Sequence, residues 1–297
     1  MLKIKKVFAT LLIIFSMDCY SKGTVKLLWF GTTNILISDN DTTIAFDPFF
    51  TRPSIWDIVF LKGLNSDPEL IKKYVHKKKL NKIKGIFTSH THYDHVLDLN
   101  SLQQLTKAKV FGSSSTKFIL NSSLKRDKFQ QIKAGDIISI GDFKITIMPS
   151  SHPPHLLGVT LLDGNIEEPI SKGSNVLQYK KGTSFSFYIE HPSGKLLFHP
   201  SATKSLKADF GHIKNIDTLI LGIANRVSTE DQINSIISKV TPKTIIPVHH
   251  DDFFKPLDQG YTEGKFSDTK EFTIKALDFK KNTKILKLKY GQSTPLR

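Results

Sequence analysis

The run Ser89-His90-Thr91-His92-Tyr93-Asp94-His95 places three imidazoles and a carboxylate within six positions. His90 and His92 are two apart, so on an extended backbone they point the same way and can share one metal. Asp94 and His95 come where the chain is expected to turn into a helix, Val96 to Leu105, apolar at Val96, Leu97, Leu99, Leu102 and Leu105. That turn re-aims them toward a neighbouring position. Neutral imidazole and carboxylate are borderline-to-hard ligands that suit zinc, iron or manganese. With only 11 histidines in 297 residues, three in one short window favour a metal site over a polar loop.

The surrounding segments read as a layered α/β scaffold. Strands are expected at Val25 to Phe30, Asn34 to Ser38 and Thr43 to Phe46, with turns at Gly31 and Asp39-Asn40-Asp41 and an end at Asp47-Pro48. An apolar, aromatic stretch follows, Phe49 to Leu64, to serve as a pocket wall or a cover for the sheet. Asp67 and Pro68 mark the start of a helix running to Lys78. The strand Ile83 to Thr88 feeds the histidine run, and Ala108 to Phe111 is a further strand. Hairpins are expected at Ile137 to Ile140 with Phe143 to Met148, and at Ser184 to Glu190 with Lys195 to His199. After these come a strand Thr218 to Ile223, a helix Glu230 to Lys239 and a strand Thr244 to Val248, with Phe272 to Lys289 as closing β-structure. Histidines recur at strand ends: His152 and His155 after Met148, His199, then His249 and His250. A site built from strand-end loops is the economical reading.

The His-x-His-x-Asp-His signature of His90, His92, Asp94 and His95, following a strand, resembles that of the metallo-β-lactamase-fold hydrolases. The resemblance runs from about Leu27 to Phe254, includes a Gly31 and Asp47-Pro48 opening, and extends through Tyr93 to the phospholipase-D-type members. It implies a four-layer αββα sandwich with mixed sheets. It also implies one metal held by His90, His92 and His152 and another by Asp94, His95 and His249. His152 is preferred to His155 because it follows the apolar strand at once, and His250 is expected to point away from the site beside His249.

One position departs from that pattern. Where such proteins place a Gly-Asp pair whose carboxylate bridges two metals, this chain has Pro200 and Ser201. A hydroxyl is a poor ligand beside a carboxylate and leaves two cations repelling each other more strongly. The expectation is therefore one tightly held Zn2+, with Mn2+ or Fe2+ as alternatives, and a weaker second site. His199, two residues earlier, is read as a surface hairpin histidine that could at most compensate in part.

Residues 1–21 resemble an export leader: Lys3, Lys5 and Lys6, then the apolar run Val7 to Met17, too short for the roughly 20 residues a bilayer crossing needs. A cut after Ser21 leaves residues 22–297 as a single domain without cysteine; lipidation at Cys19 is the alternative, disfavoured by Asp18. Cleavage would remove the one cysteine, and with it a thiolate ligand or nucleophile. The formal charge is +15, spread over scattered lysines that read first as a solvated surface. Such a surface also attracts an anionic substrate or lipid headgroups, so peripheral membrane contact is an expectation. No nucleic-acid recognition motif is present, and a nucleic-acid partner is not expected.

These features imply an exported metal-dependent hydrolase. A three-His site with an open position generates hydroxide at neutral pH, for attack on an ester, amide, lactone or phosphodiester. A lipid-like phosphodiester is preferred. Asp94 is assigned as orienting ligand or proton acceptor and Tyr93 as donor to a developing oxyanion, with Asp47 orienting a ligand histidine. The alternatives are a β-lactamase or lactonase, and a non-catalytic envelope binding protein on the same scaffold.

Overall fold

The computed structural model describes residues 24–78, 80–120, 126–154, 160–203 and 213–296. The expected leader, Cys19 and His155 lie outside the described residues. In chain order the strands are β1 (Lys26–Trp29), β2 (Ile35–Ser38), β3 (Thr43–Phe46), β4 (Ile83–Phe87), β5 (Lys109–Gly112), β6 (Phe129–Gln131) and β7 (Ile137–Ile140). They continue as β8 (Phe143–Pro149), β9 (Phe185–His191), β10 (Gly194–His199), β11 (Thr218–Gly222), β12 (Thr244–Val248), β13 (Lys284–Ile285) and β14 (Ser293–Pro295). The helices are α1 (Ile55–Val59), α2 (Pro68–Lys77), α3 (Tyr93–Val96), α4 (Leu99–Thr106), α5 (Ser114–Ile119), α6 (Thr229–Gln232), α7 (Ser238–Val240) and α8 (Thr269–Phe279).

The strands form two seven-stranded sheets, ordered β14-β1-β2-β3-β4-β5-β6 and β13-β12-β11-β10-β9-β8-β7. Each is mixed. The first is antiparallel through β1, β2 and β3 and parallel from β3 to β6. The second is antiparallel from β7 to β10 and parallel from β10 to β13.

Period-two patterning sets which side chains meet. Phe143, Ile145 and Ile147 of β8 join Ile44, Phe46, Phe87, Phe187 and Phe198 in a core between the sheets. The Phe46 ring lies 4.9 Å from that of Phe187 and 5.1 Å from that of Phe198, across the interface. Ala45, Ile86 and Val110 face the other way, onto Ile71 and Val75 of α2 and Leu99 and Leu102 of α4. On the second sheet Leu219, Leu221 and Ile245 pack on Ile233, Ile236 and Ile237 and on Phe272 and Ala276 of α8. The layers are helix, sheet, sheet, helix, as the sequence implied. Every residue of β11 is buried because both of its faces are covered.

Three local readings are corrected. The stretch expected as closing β-structure opens instead as α8, and only Lys284–Ile285 and Ser293–Pro295 are strands. The cause is a helix start at Asp268, whose carboxylate accepts the Glu271 N–H at 2.9 Å, together with Phe272 and Ala276 one turn apart on the buried face. The helix expected from Val96 to Leu105 breaks into α3 and α4. Asp98, at the break, turns its carboxylate to the N–H groups of Phe50 (2.5 Å) and Thr51 (2.7 Å) and the Ser66 hydroxyl (2.6 Å). The helix expected from Glu230 to Lys239 passes through a π-helical stretch, Ile233–Ile237, between α6 and α7.

Gly222 ends β11 against the backbone that follows β10: a Cβ added there would lie 1.9 Å from the Pro200 carbonyl oxygen and 2.5 Å from its carbon. Neither atom can swing aside. Gly222→Ala is expected to cost about 1–3 kcal/mol of stability, read as a lower urea midpoint with an unchanged slope.

Candidate metal centre

The histidine run leaves the end of β4, where Asp47, the first residue after β3, fixes it. The Asp47 carboxylate accepts the Ser89 N–H (2.6 Å) and the Ser89 hydroxyl (2.6 Å), and its Oδ2 lies 2.9 Å from His95 Nδ1. With Nδ1–H donating to Asp47, His95 keeps its Nε2 lone pair for the side facing Asp94, 3.5 Å from Asp94 Oδ2. Asp47 itself sits at φ 46°, a left-handed conformation that a non-glycine residue adopts at a cost.

Six residues assigned to metals from the sequence converge in two groups. His90, His92 and His152 form one, and Asp94, His95 and His249 the other, with the ligand atoms of each group within 4.8 Å of one another. The rings of the first group make a near-equilateral triangle: centroids are 4.8 Å apart for His90 and His92, 4.9 Å for His90 and His152, and 4.8 Å for His92 and His152. The planes cross at 80°, 67° and 80°. His90 Nε2 faces His92 Nδ1 at 3.2 Å. Two nitrogens bound tetrahedrally to zinc would stand about 3.3 Å apart, so this spacing fits a shared cation. His152 Nδ1 lies 2.8 Å from the Pro153 carbonyl oxygen, which fixes its proton there and makes Nε2 the nitrogen suited to a ligand role. In the second group Asp94 Oδ2 lies 3.3 Å from His249 Nε2.

His249 is aimed by backbone conformation. It follows β12 at φ 56°, and its N–H donates to the Thr32 carbonyl (2.9 Å). His250 turns the other way, its Nδ1 2.8 Å from the Tyr261 hydroxyl and its ring 5.0 Å from that of Trp29. The next residue, Asp251, accepts the Thr32 N–H (2.7 Å) and the Tyr290 hydroxyl (2.7 Å) and pairs with Arg52 at 2.8 Å, both partners fully buried. The sequence reading missed this knot. Its one trace was Gly31, where an added Cβ would collide with the Arg52 guanidinium at 1.8 Å.

Burial and mutual repulsion by the other imidazoles hold His90 well below the usual histidine range. Burial alone would push the Asp94 carboxyl up, but the imidazoles of His95, His249 and His92 outweigh it and hold Asp94 well below the usual carboxylate range. A neutral imidazole and an ionised carboxylate are the ligand forms that a divalent cation requires. Tyr93 is pushed well above the ordinary phenol range by burial and by Asp94, so it keeps its proton.

His199 is neither on the surface nor among the converging ligands. It is fully buried, with Nδ1 2.6 Å from Ser186 Oγ and Nε2 3.1 Å from Thr203 Oγ1, and burial pushes it down to about 3. The hairpin reading overlooked that β10 lies between β9 and β11 and is covered on both faces. Ser201 does reach the site. It lines a cavity of about 270 Å³ together with all six candidate ligands, Tyr93, Ile58, Leu161, Leu162, Asn225, Phe253 and Phe254. Asn225 and the two phenylalanines carried no signal in the sequence beyond their position near strand ends.

Two mixed sheets packed face to face, flanked by helices and carrying a paired His/Asp cluster at one edge, define the metallo-β-lactamase class of fold. The sequence pattern of the beta-lactamase superfamily domain matches residues 42–250, and the chain belongs to that family. It is 25% identical over 241 residues to a UPF0173 metal-dependent hydrolase of Anaeromyxobacter sp. (strain K), covering 78% of this chain and 77% of that one. It is also 25% identical over 301 residues to one of Thermodesulfovibrio yellowstonii, covering 96% and 97%. Among solved structures, the metallo hydrolase Igni18 from Ignicoccus hospitalis superposes with a TM-score of 0.62 at 17% identity, covering 92% of this chain and 99% of that one.

Replacing Asp47 by Asn removes the charge behind His95 with little change of volume. Affinity for a divalent cation should fall by about 10- to 100-fold, measured by competition with a chromophoric chelator. His199 generates a pH prediction. Its folded-state value lies below its unfolded one, so between about pH 6.5 and its folded value near 3 the unfolded chain binds the extra proton and stability falls with acidification. From pH 7.5 to 5 the loss is about 2 kcal/mol. His199→Gln should flatten that part of the stability profile in urea unfolding, and an identical profile in the variant would refute the assignment.

Proposed function

We propose that the protein is a metal-dependent hydrolase whose primary cation, zinc, is held by His90, His92 and His152, with a weaker second position at Asp94, His95 and His249. The near-equilateral triangle of imidazoles carries this reading, because two buried rings and a half-buried third with nitrogens converging on one point are arranged as a shared divalent cation requires. The family membership and the names of its relatives support the reaction class. A bound divalent cation would lower the pKa of water to about 7 and so supply a nucleophile at neutral pH.

The chain's own residues account for the rest. Asp94, kept ionised, accepts a proton or orients the nucleophile beside His249. Tyr93, kept protonated and lining the cavity, donates to charge developing on the substrate. Asp47 orients His95 and is not in the cavity wall. Outside the ligand cluster the described wall is mostly apolar, with Tyr93, Ser201 and Asn225 as its polar exceptions and no lysine or arginine. That wall favours substrates with an apolar group next to the scissile ester or phosphodiester, and supports the preference for a lipid-like phosphodiester.

Elemental analysis after dialysis, beside a panel of ester, lactone and phosphodiester substrates, tests the proposal. The unmodified protein should retain close to one equivalent of metal. His92→Ala should lose it, and hydrolysis should drop by at least about 100-fold. Ser201→Ala should change little, whereas Ser201→Asp should raise affinity for a second equivalent. Two equally tight equivalents in the unmodified protein would refute the asymmetry between the sites.

A further inference from the structure

Beside the cavity, helix α1 and the turn after it hold large apolar side chains in solvent: Ile55 is 41% exposed, Trp56 60%, Val59 56%, Phe60 65% and Leu61 46%. Single exposed apolar residues are ordinary, but five within seven positions mark an interaction surface. The Trp56 and Phe60 rings stack 5.7 Å apart at 19°, so the ridge is formed in advance. It is also held firmly. The Ser54 N–H donates to the Asp57 carboxylate (2.9 Å), Ser54 Oγ accepts the Asp57 N–H (3.3 Å), and the Lys62 N–H closes onto the Asp57 carbonyl (2.9 Å). Ile58, on the same helix, lines the metal cavity, as does Leu161, itself half exposed.

The charges around this ridge decide what it meets. Lys62 lies 3.1 Å from Asp57, and Lys255, next to the cavity-lining Phe254, lies 3.7 Å from Asp252. Asp57 and Asp252 thus each have a cationic partner, which offsets their charge beside a headgroup layer. The chain as a whole carries 42 Lys and Arg against 27 Asp and Glu. That excess attracts an anionic surface and repels a second copy of the same chain. Aromatic and aliphatic side chains projecting together from a short, rigid element suit burial roughly 5–10 Å into the headgroup and acyl boundary. No helix among the described residues is long and apolar enough to cross a membrane, so contact through this ridge would be peripheral.

We propose that Ile55–Leu61 docks the protein on an anionic lipid bilayer, and that the apolar chain of an amphiphile passes from that bilayer along Ile58 into the metal cavity. Docking requires no metal; uptake into the cavity rests on the hydrolase reading above.

The two tryptophans make the test direct, because Trp29 is buried and Trp56 is not. The full chain is titrated with vesicles of phosphatidylcholine alone and of phosphatidylcholine with phosphatidylglycerol. With the mixed vesicles, emission should shift to the blue, brominated acyl chains should quench it, and added salt should weaken binding. In flotation, the double variant Trp56→Ser, Phe60→Ser should partition about tenfold less or weaker still, with its urea midpoint unchanged. His92→Ala should float like the parent, which separates failure of the hydrolase reading from failure of docking. Undiminished flotation of the double variant, or no emission change with either vesicle, overturns the proposal. Equal binding to the neutral vesicles overturns the anionic commitment. A dimer in light scattering with Trp56 already shielded would assign the ridge to self-association instead.

Discussion

The hydrogen bonds that converge on Asp47 join the end of β3 to the end of β4 and set the direction of everything that follows. One carboxylate takes both donors of Ser89 and faces His95, so a single side chain fixes where the histidine run starts and which nitrogen of His95 faces inward. Without that anchor, the short turn Ser89–His92 would have no reason to present His90 and His92 to the same point. The left-handed backbone at Asp47 is the strain accepted for this placement.

A second anchor works on the far side of the site by the same logic. The ion pair of Arg52 and Asp251 is fully buried, and such a pair is worth its desolvation only when its remaining hydrogen-bond capacity is filled. Here Thr32 and Tyr290 donate to Asp251 and the Phe30 carbonyl accepts from Arg52, whereas the buried Arg52 Nε has no hydrogen-bond partner among the described residues. The pair therefore welds the β1–β2 turn to the segment carrying His249. The Asp47 anchor joins loops that follow neighbouring strands of one sheet, whereas the Arg52–Asp251 anchor joins a segment after β3 to one after β12 in the other sheet.

The sequence made the ligands legible because metal chemistry limits the residue types and their spacing. His90 and His92 could be picked out from their two-residue spacing, while His152 and His249, at the ends of apolar runs, followed from the resemblance to the metallo-β-lactamase-fold hydrolases. The strands were legible for a related reason: Phe143, Ile145 and Ile147 alternate, and the buried stretches of β4 and β11 are continuous. What could not be read was set by long-range partners. Asp98 breaks a helix because of Phe50, Thr51 and Ser66, some 30 to 50 positions earlier in the chain. His199 looked like a hairpin residue because nothing in its neighbourhood reveals that β11 will cover the strand. Phe272 to Lys289 mixes apolar and lysine residues in a way that suits either period, and the N-cap at Asp268 decided for the helix.

The sheets meet along an apolar interface, yet neither group of ligands belongs to one sheet. His90, His92, Asp94 and His95 follow β4 of the first, whereas His152 follows β8 and His249 follows β12 of the second. Each triad takes two members from one half and one from the other. A cation held there would be a further cross-link between halves already joined by apolar packing and by the Arg52–Asp251 pair, and it would close loops of some 60 and 155 residues in the unfolded chain. Its loss would take away one tie at that rim, and the Arg52–Asp251 pair and the His249–Thr32 backbone hydrogen bond would be left to hold the two loop systems together.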